Sequence, residues 1–597
     1  MTKRSRKSAF GKAGVLRRSS LKTIPVLAID PLSTDYSSQR KTVRTTLLVG
    51  TAMGASLLTI MALDTQSAYA AAGNCNFVVG DLAEYCGGGG FLQVPFGNGI
   101  NFTSPTDLTI VVGENPTAGT LDPATVGSNI NGDGVTLTAD NSGITLSVVG
   151  DNNSTFGTTS GYAISRDGIH VFSSHYYYNN RIVVKNNAPI GPFVTRDGIH
   201  AVVINGGSYY NDGNGNTYYG TSGSVLVTNT GVIQAGRDGI HAGGVVFNTG
   251  PYSGTMITTI KNLPGGSISA VSGEGIDGFA RVNEEHSGYN AQGGHGTAIT
   301  NITNSPPIIA SGDAIHGSSN VNSDGVGLFT HPSSVTLTGG SGVGGVAVAA
   351  LSIGNGTADA LSSSNGEGID GSSLASAEGW GFTAAGGQAN ATTSVTNSST
   401  INSYRDGILG TARADADAHG SYFSNTWGAG SATGGVANAA VVISNSGNIT
   451  ADRAEGIDGS SRATATAGWV IPGNHSYNAV GGTAIASTII SNAGEIWLTV
   501  DGHARDGIQG RAEATANAYG ENDGVKALGG GLYGSGGYAR GGVAIATVAI
   551  TNNNTIFSME RQGIDGRSSA EANAGGQGNA FITGLPKYAY TAVGGHI

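Results

Sequence analysis

Four histidines, His170, His200, His241 and His316, each follow the Ile that closes a short acidic turn: Asp167-Gly168-Ile169, Asp197-Gly198-Ile199, Asp238-Gly239-Ile240 and Asp313-Ala314-Ile315. Imidazoles recurring at one position of a repeat could form a surface ladder for Zn²⁺ or Cu²⁺. The same position holds Asp277, Asp370, Leu409, Asp458, Gln509 and Asp565 in other copies, so it reads as an exposed, permissive position without a metal role. The acid of the turn is the second candidate. Stacked in neighbouring coils, Asp167, Asp197 and Asp238 repel one another unless Ca²⁺, Arg or backbone donors neutralise them. Arg166, Arg196, Arg237, Arg405 and Arg505 stand directly before the acid, and an Asp side chain can cap the N–H groups of its own turn. Turn capping is the expectation. Calcium is the lesser alternative, because the nonapeptide pattern of calcium-binding β-rolls is absent.

No G-x-S-x-G elbow, H-E-x-x-H helix or phosphate loop stands out in a plausible context. Polysaccharide lyases and hydrolases do place clustered acids and bases on one face of a β-helix. Such a cluster should be local and singular, whereas here acids and Arg recur coil after coil. No catalytic, cofactor-binding or metal residue is therefore assigned, and the chain is read as a non-enzyme.

The elements that hold these residues follow from the repeat. The turn continues as Glu274-Gly275-Ile276, Glu367-Gly368-Ile369, Asp406-Gly407-Ile408, Glu455-Gly456-Ile457, Asp506-Gly507-Ile508 and Gln562-Gly563-Ile564. Ahead of the turns an Asn closes an alternating apolar run: Asn186, Asn229, Asn262, Asn304, Asn355, Asn397, Asn445, Asn492 and Asn552. From Asn to the next turn's Ile is 11 to 16 residues, while from Ile to the next Asn is 17 to 44. One part of each coil is held, and the other accepts insertions.

The held part reads as turn, short strand, turn, as in Ser444-Asn445-Ser446-Gly447-Asn448-Ile449-Thr450-Ala451. Asn and Gly tolerate the left-handed conformations of a corner. Period-2 runs such as 543–550 and 512–518 flank it, which is strand behaviour. Inward Ala on one wall opposite Val or Ile on another predicts a flat, narrow core. Stacked coils put each Asn above the next at about 4.8 Å, as a side-chain ladder. No long 3.6-period segment supports helix. The insertions hold aromatic and His clusters (His175 to Tyr178, Tyr209 to Asp212, His419 to Phe423), and loops on one side of a solenoid are where a binding surface is expected.

Composition agrees with a repeat protein: Gly is 100 of 597 residues and only 12% are charged. Eleven Lys/Arg precede residue 45, an uncharged stretch runs from Thr45 to Leu63, and Ser67-Ala68-Tyr69-Ala70 follows. That order describes a secretory signal peptide over 1–70 with cleavage after Ala70. A membrane anchor is the competing reading, and Gly50, Gly54 and the processing site argue against it. Arg17-Arg18-Ser19-Ser20-Leu21-Lys22 partly looks like a twin-arginine signal. Removing 1–70 leaves 18 of the 29 basic and 37 of the 40 acidic residues, which argues against nucleic acid or anionic lipid as main partner. Cys75 and Cys86 suit a local disulfide in an exported chain, within an N-terminal cap over 71–125.

A long basic signal followed by coils of the type Ile-Ser-Asn-Ser-Gly-x-Ile and Gly-Ile-x-Gly resembles the passenger region of a Gram-negative autotransporter (type V secretion). The resemblance covers roughly residues 126–597 and rests on the recurrence of the motifs. It implies an all-β, right-handed parallel β-helix with long loop insertions, displayed at the cell surface or outer membrane by a C-terminal β-barrel, and acting as an adhesin towards a host or abiotic surface through a carbohydrate or protein ligand. The C-terminal sequence lacks the many roughly ten-residue alternating strands that such a barrel needs. Tyr590-Thr591-Ala592-Val593-Gly594-Gly595 parallels Tyr477-Asn478-Ala479-Val480-Gly481-Gly482, where the strand continues, so the sequence reads as stopping inside a coil. A β-helical carbohydrate-active enzyme is the alternative function.

Overall fold

The structure, a computed structural model, describes residues 75–593 except 87–93, 114–123, 209–220, 328–339, 421–429, 469–476, 500–505, 524–537, 580–590 and several shorter stretches. Residues 1–74, with the expected signal and Ala70, lie outside it, as do Arg505 and most of the aromatic insertions.

The chain winds as a right-handed parallel β-helix. Three long sheets of 13, 14 and 12 strands form its walls, and a seven-stranded sheet is added along one side. Each coil passes through the same order. A short second-wall strand such as Ile449–Ala451 leads through the Gly-Ile corner to a third-wall strand, Ile457–Thr464. The chain then returns along the first wall, Thr483–Asn492, which ends on the ladder Asn. Neighbouring coils pair in parallel and without slippage along this face: Ile408 lies beside Ile457, Ile457 beside Ile508, and Asn445 beside Asn492.

The three-wall stack already exists at Val94–Phe96, Ile100–Ser104 and Leu108–Val112, inside the segment expected as a cap. Before it, Cys75–Val78 and Ala83–Cys86 pair antiparallel, with Cys75 directly opposite Cys86. That is the backbone placement a local cross-link needs.

Alternation does the sorting, as the strand pattern predicts. The strand Gln388–Asn397 alternates exposed or half-buried with buried residues along its whole length, and so do its neighbours. The core tapers, which differs from Ala facing Val or Ile. Near the second wall it is filled by fully buried Ile such as Ile233, Ile240, Ile449 and Ile457. At the far end the column Ala389, Ala437, Ala484 faces the column Ala375, Ala414, Ala463. In an earlier coil their register partners Gly296 and Val321 meet so closely that a Cβ on Gly296 would stand 2.4 Å from Val321 Cγ1. Walls that converge leave room only for methyl groups.

The Gly of the Gly-Ile turn is set by space, which corrects the expectation of a left-handed corner. A Cβ on Gly198, Gly239, Gly407, Gly456 or Gly507 would lie 2.2–2.4 Å from the Cγ2 of the following coil's second-wall Ile, for example Ile449 above Gly407. It would also lie 2.5–2.7 Å from the next turn's carbonyl oxygen. Gly168 is filled in the same way by Ile190. The partner isoleucines of the turn, Ile169, Ile199, Ile240, Ile408, Ile457 and Ile508, are all fully buried. The second Gly of Gly-Ile-x-Gly, such as Gly410 or Gly459, leaves the hollow that Ile443 or Ile490 enters from the first wall.

Candidate functional site

Three columns of polar side chains run along the corner between second and third walls and along the first-wall end. The first is the Asn ladder. Each Asn Nδ2 donates to the Oδ1 of the Asn one coil on: Asn186 to Asn229 at 2.8 Å, Asn229 to Asn262 at 2.9 Å, Asn262 to Asn304 at 2.8 Å, and Asn304 to Asn355 at 2.9 Å. The series continues through Asn397, Asn445, Asn492 and Asn552 at 2.7 Å each. The second amide hydrogen goes to the backbone carbonyl two residues on, as from Asn445 to Gly447 at 2.7 Å. Carboxamides hold donor and acceptor together, so an unbroken stack satisfies itself with no charge inside.

The second column is the acid of the turn. The expected capping of its own turn is replaced by capping of the next one: the carboxylate Oδ1 accepts the N–H of the acid one coil further along. Asp167 accepts from Asp197 N–H at 3.3 Å, Asp313 from Glu367 at 2.8 Å, Asp406 from Glu455 at 2.7 Å, and Asp506 from Gln562 at 3.2 Å. Parallel register puts the next turn's N–H nearer than the turn's own. The preceding Arg also reaches back one coil. Arg196 Nε lies 3.4 Å from Asp167, Arg237 Nη2 2.6 Å from Asp197, and Arg405 3.5 Å from Glu367.

This divides the column in two. Burial raises the Asp197 carboxyl, but the bonds from His200 and Arg237 outweigh it and bring it to about 2. Asp167 is lowered as well, its burial outweighed chiefly by the bond from His170. Further along, acids meet acids. Burial and the adjoining Glu274, Glu367 and Glu455 push Asp238, Asp313 and Asp406 well above the carboxylate range. Two carboxyls this close share a proton.

The third column is the position after Ile, expected to be exposed and permissive. Where it holds His, and at Asp277, it is half-buried and paired. His170 Nδ1 bonds Asp167 at 2.9 Å, and His200 Nδ1 bonds Asp197 at 3.0 Å. Asp277, which takes the histidine's place one coil on, lies between two histidines: His241 Nδ1 at 2.7 Å, close but poorly aligned for a hydrogen bond, and His316 Nδ1 at 2.8 Å. Burial lowers His316, yet Asp277 prevails and raises it to about 9; His241 is raised for the same reason. His200 is lowered, by burial first and then by the neighbouring histidines. Sequence reasoning missed this bridge, although Asp277 alternating with His at one repeat position was a usable signal.

Away from the corner the walls differ in charge. The six first-wall strands from His295–Asn304 to Val543–Asn552 contain no Asp, Glu, Lys or Arg. Their outward faces present Thr, Ser and Asn among exposed aliphatics such as Val442, Ile489 and Ile545. The third wall over comparable coils carries Arg413, Asp415, Arg462, Arg511 and Glu513. Between the first wall and the added sheet lies a groove of about 490 Å³, floored by the Gly pairs 386–387, 434–435 and 481–482, with Arg540 its one charged lining residue.

No protein-family model, no curated protein and no solved structure matches this chain.

Proposed function

We propose that the chain is a surface-exposed or secreted passenger of the autotransporter kind, structural and adhesive in role, carried to the outer membrane by a β-barrel encoded beyond this sequence. The observation that supports it most is periodicity of the polar groups. Acids, Arg and Asn recur coil after coil and are satisfied by the adjacent coil, so among the described residues they serve stacking and do not converge on a reacting atom. The glycine-floored groove offers one charge and no acid–base pair. A rigid rod with a wide uncharged wall is suited to contact with a glycan or protein surface, where broad weak complementarity replaces chemistry. Most of the aromatic insertions expected to confer specificity lie outside the described residues.

The test is a binding screen of the exported protein on immobilised glycans, matrix proteins and bare polystyrene, run beside digestion of acidic polysaccharides. Saturable adhesion without product formation is the expected result. Unsaturated or shortened oligosaccharides would overturn the reading in favour of a carbohydrate-active enzyme.

A further inference from the structure

The histidine column contains an arrangement that coil stacking does not require. His170, His200 and His241 are register partners on consecutive third-wall strands. Their rings stack with centroids 4.9 Å apart in both steps, at interplanar angles of 2° and 19°. Every Nδ1 faces a carboxylate: Asp167 at 2.9 Å, Asp197 at 3.0 Å and Asp277 at 2.7 Å. A carboxylate bonded to Nδ1, as in His170 and His200, fixes the proton there and leaves Nε2, across the ring, with its lone pair. This is how metal-binding imidazoles are oriented. Among the described residues, no hydrogen bond is made at Nε2 of any of the three.

We propose that the Nε2 edges of His200 and one of its stacked neighbours, His170 or His241, bind a divalent transition-metal ion that favours imidazole, Zn²⁺ or Cu²⁺. The carboxylates below are orienting groups and not ligands. Asp133, Asp167 and His170, and likewise Asp167, Asp197 and His200, do bring ligand atoms within 4.8 Å of one another. That space is taken by Arg166, Arg196 and Arg237 and by the backbone N–H groups of the turns. A hard cation needing six or more oxygens finds no free carboxylate there. A neutral imidazole is the ligand form.

Spacing sets the adjustment. Metal–nitrogen bonds of about 2.0–2.1 Å place two Nε2 atoms of one ion at most about 4.1 Å apart, and about 3.4 Å apart in a tetrahedral site. Stacked 4.9 Å apart at their centroids, the rings direct their Nε2 lone pairs side by side, so two neighbours must tilt towards each other to bring both lone pairs onto one ion. One ion per chain is expected, held by His200 and one neighbour with water in the other positions. Cu²⁺ should bind more tightly than Zn²⁺, following the general order for nitrogen sites.

The experiment is titration of the metal-free exported protein with Cu²⁺ followed by electron paramagnetic resonance, and with Zn²⁺ by calorimetry. The wild type should bind one Cu²⁺ with splitting from at least two nitrogens. His200→Gln, which interrupts both ring pairs, should weaken binding at least tenfold. His170→Gln and His419→Gln serve as a milder variant and a distant control, and circular dichroism verifies that each retains its strand signal. Wild-type affinity in His200→Gln overturns the proposal, and so does an all-oxygen copper spectrum or displacement of Zn²⁺ by millimolar Ca²⁺.

Discussion

Replacing Asn397 by Asp keeps the size of the ladder residue and removes its donor. Asn397 Nδ2 donates to Asn445 Oδ1 at 2.7 Å and to the Ser399 carbonyl at 2.8 Å, while its Oδ1 accepts from Asn355 at 2.7 Å. In Asn397→Asp the accepting bond survives, and both donated bonds become contacts between oxygens in a site only 1% exposed. Leaving two buried acceptors without donors costs about 1–3 kcal/mol each, so the loss is about 2–6 kcal/mol. Burial of a carboxylate adds to that at neutral pH, and protonation recovers one donor, so the variant is less impaired at pH 4 than at pH 8. Stacked coils open locally, which makes a single global unfolding energy a poor readout. Hydrogen exchange followed coil by coil is the appropriate assay. Protection should fall at 388–403 and 436–451 and stay at its wild-type level around 182–190. Wild-type protection at 388–403 in the variant would refute the view that the ladder's donors hold the stack.

Three further substitutions probe other contacts. Glu284 is fully buried and is pushed up to about 8 by that burial, so the folded chain retains a proton that the unfolded chain releases above its ordinary value of 4.5. Stability from this site is complete below pH 4.5 and declines as pH rises towards about 8; Glu284→Gln should remove that decline, as read from thermal midpoints at pH 5 and pH 9. Asp406→Asn keeps the acceptor for Glu455 N–H and removes one of two crowded carboxyls, so exchange at 401–410 should slow at pH 8 and change little at pH 5. Gly407→Ala introduces a methyl 2.3 Å from Ile449 Cγ2 and 2.5 Å from the Gly456 oxygen. It should destabilise by about 3 kcal/mol, and adding Ile449→Ala should restore part of the loss; no rescue would show that the backbone contact dominates.

Much of the architecture is legible in the sequence because its two strongest signals are local. Alternation in runs such as 436–445 defines strands, and the Asn at the end of each defines the corner. The coil at 94–112, expected as part of a cap, escapes that reading because its markers change: Val112 stands in register with the position of the later ladder Asn, and Asn98-Gly99-Ile100 takes the place of the acidic turn. The polar columns were legible as columns but not as bonds. Asp406 and the N–H it accepts are separated by 49 residues, and His316 and Asp277 by 39, across insertions of unequal length. Only the folded register shows which carboxylate meets which donor. The steric role of the turn glycines was equally hidden, since the Ile that fills the space belongs to the following coil.

That Ile above Gly has a consequence for how such a chain can change length. Turn glycines such as Gly198, Gly407 and Gly456 each receive the isoleucine of one neighbour, as Gly407 receives Ile449 while Ile449's own coil offers Gly456 to Ile496. Excision of one complete coil brings together surfaces of the same kind and shortens the rod by a single strand spacing, about 4.8 Å. Adding or removing one residue between the Asn and the Ile instead misaligns the glycine, the acid and the amide ladder together. The rod is thus a ruler graduated in whole coils, adjustable by units on its length and by any amount only in the insertions at its side.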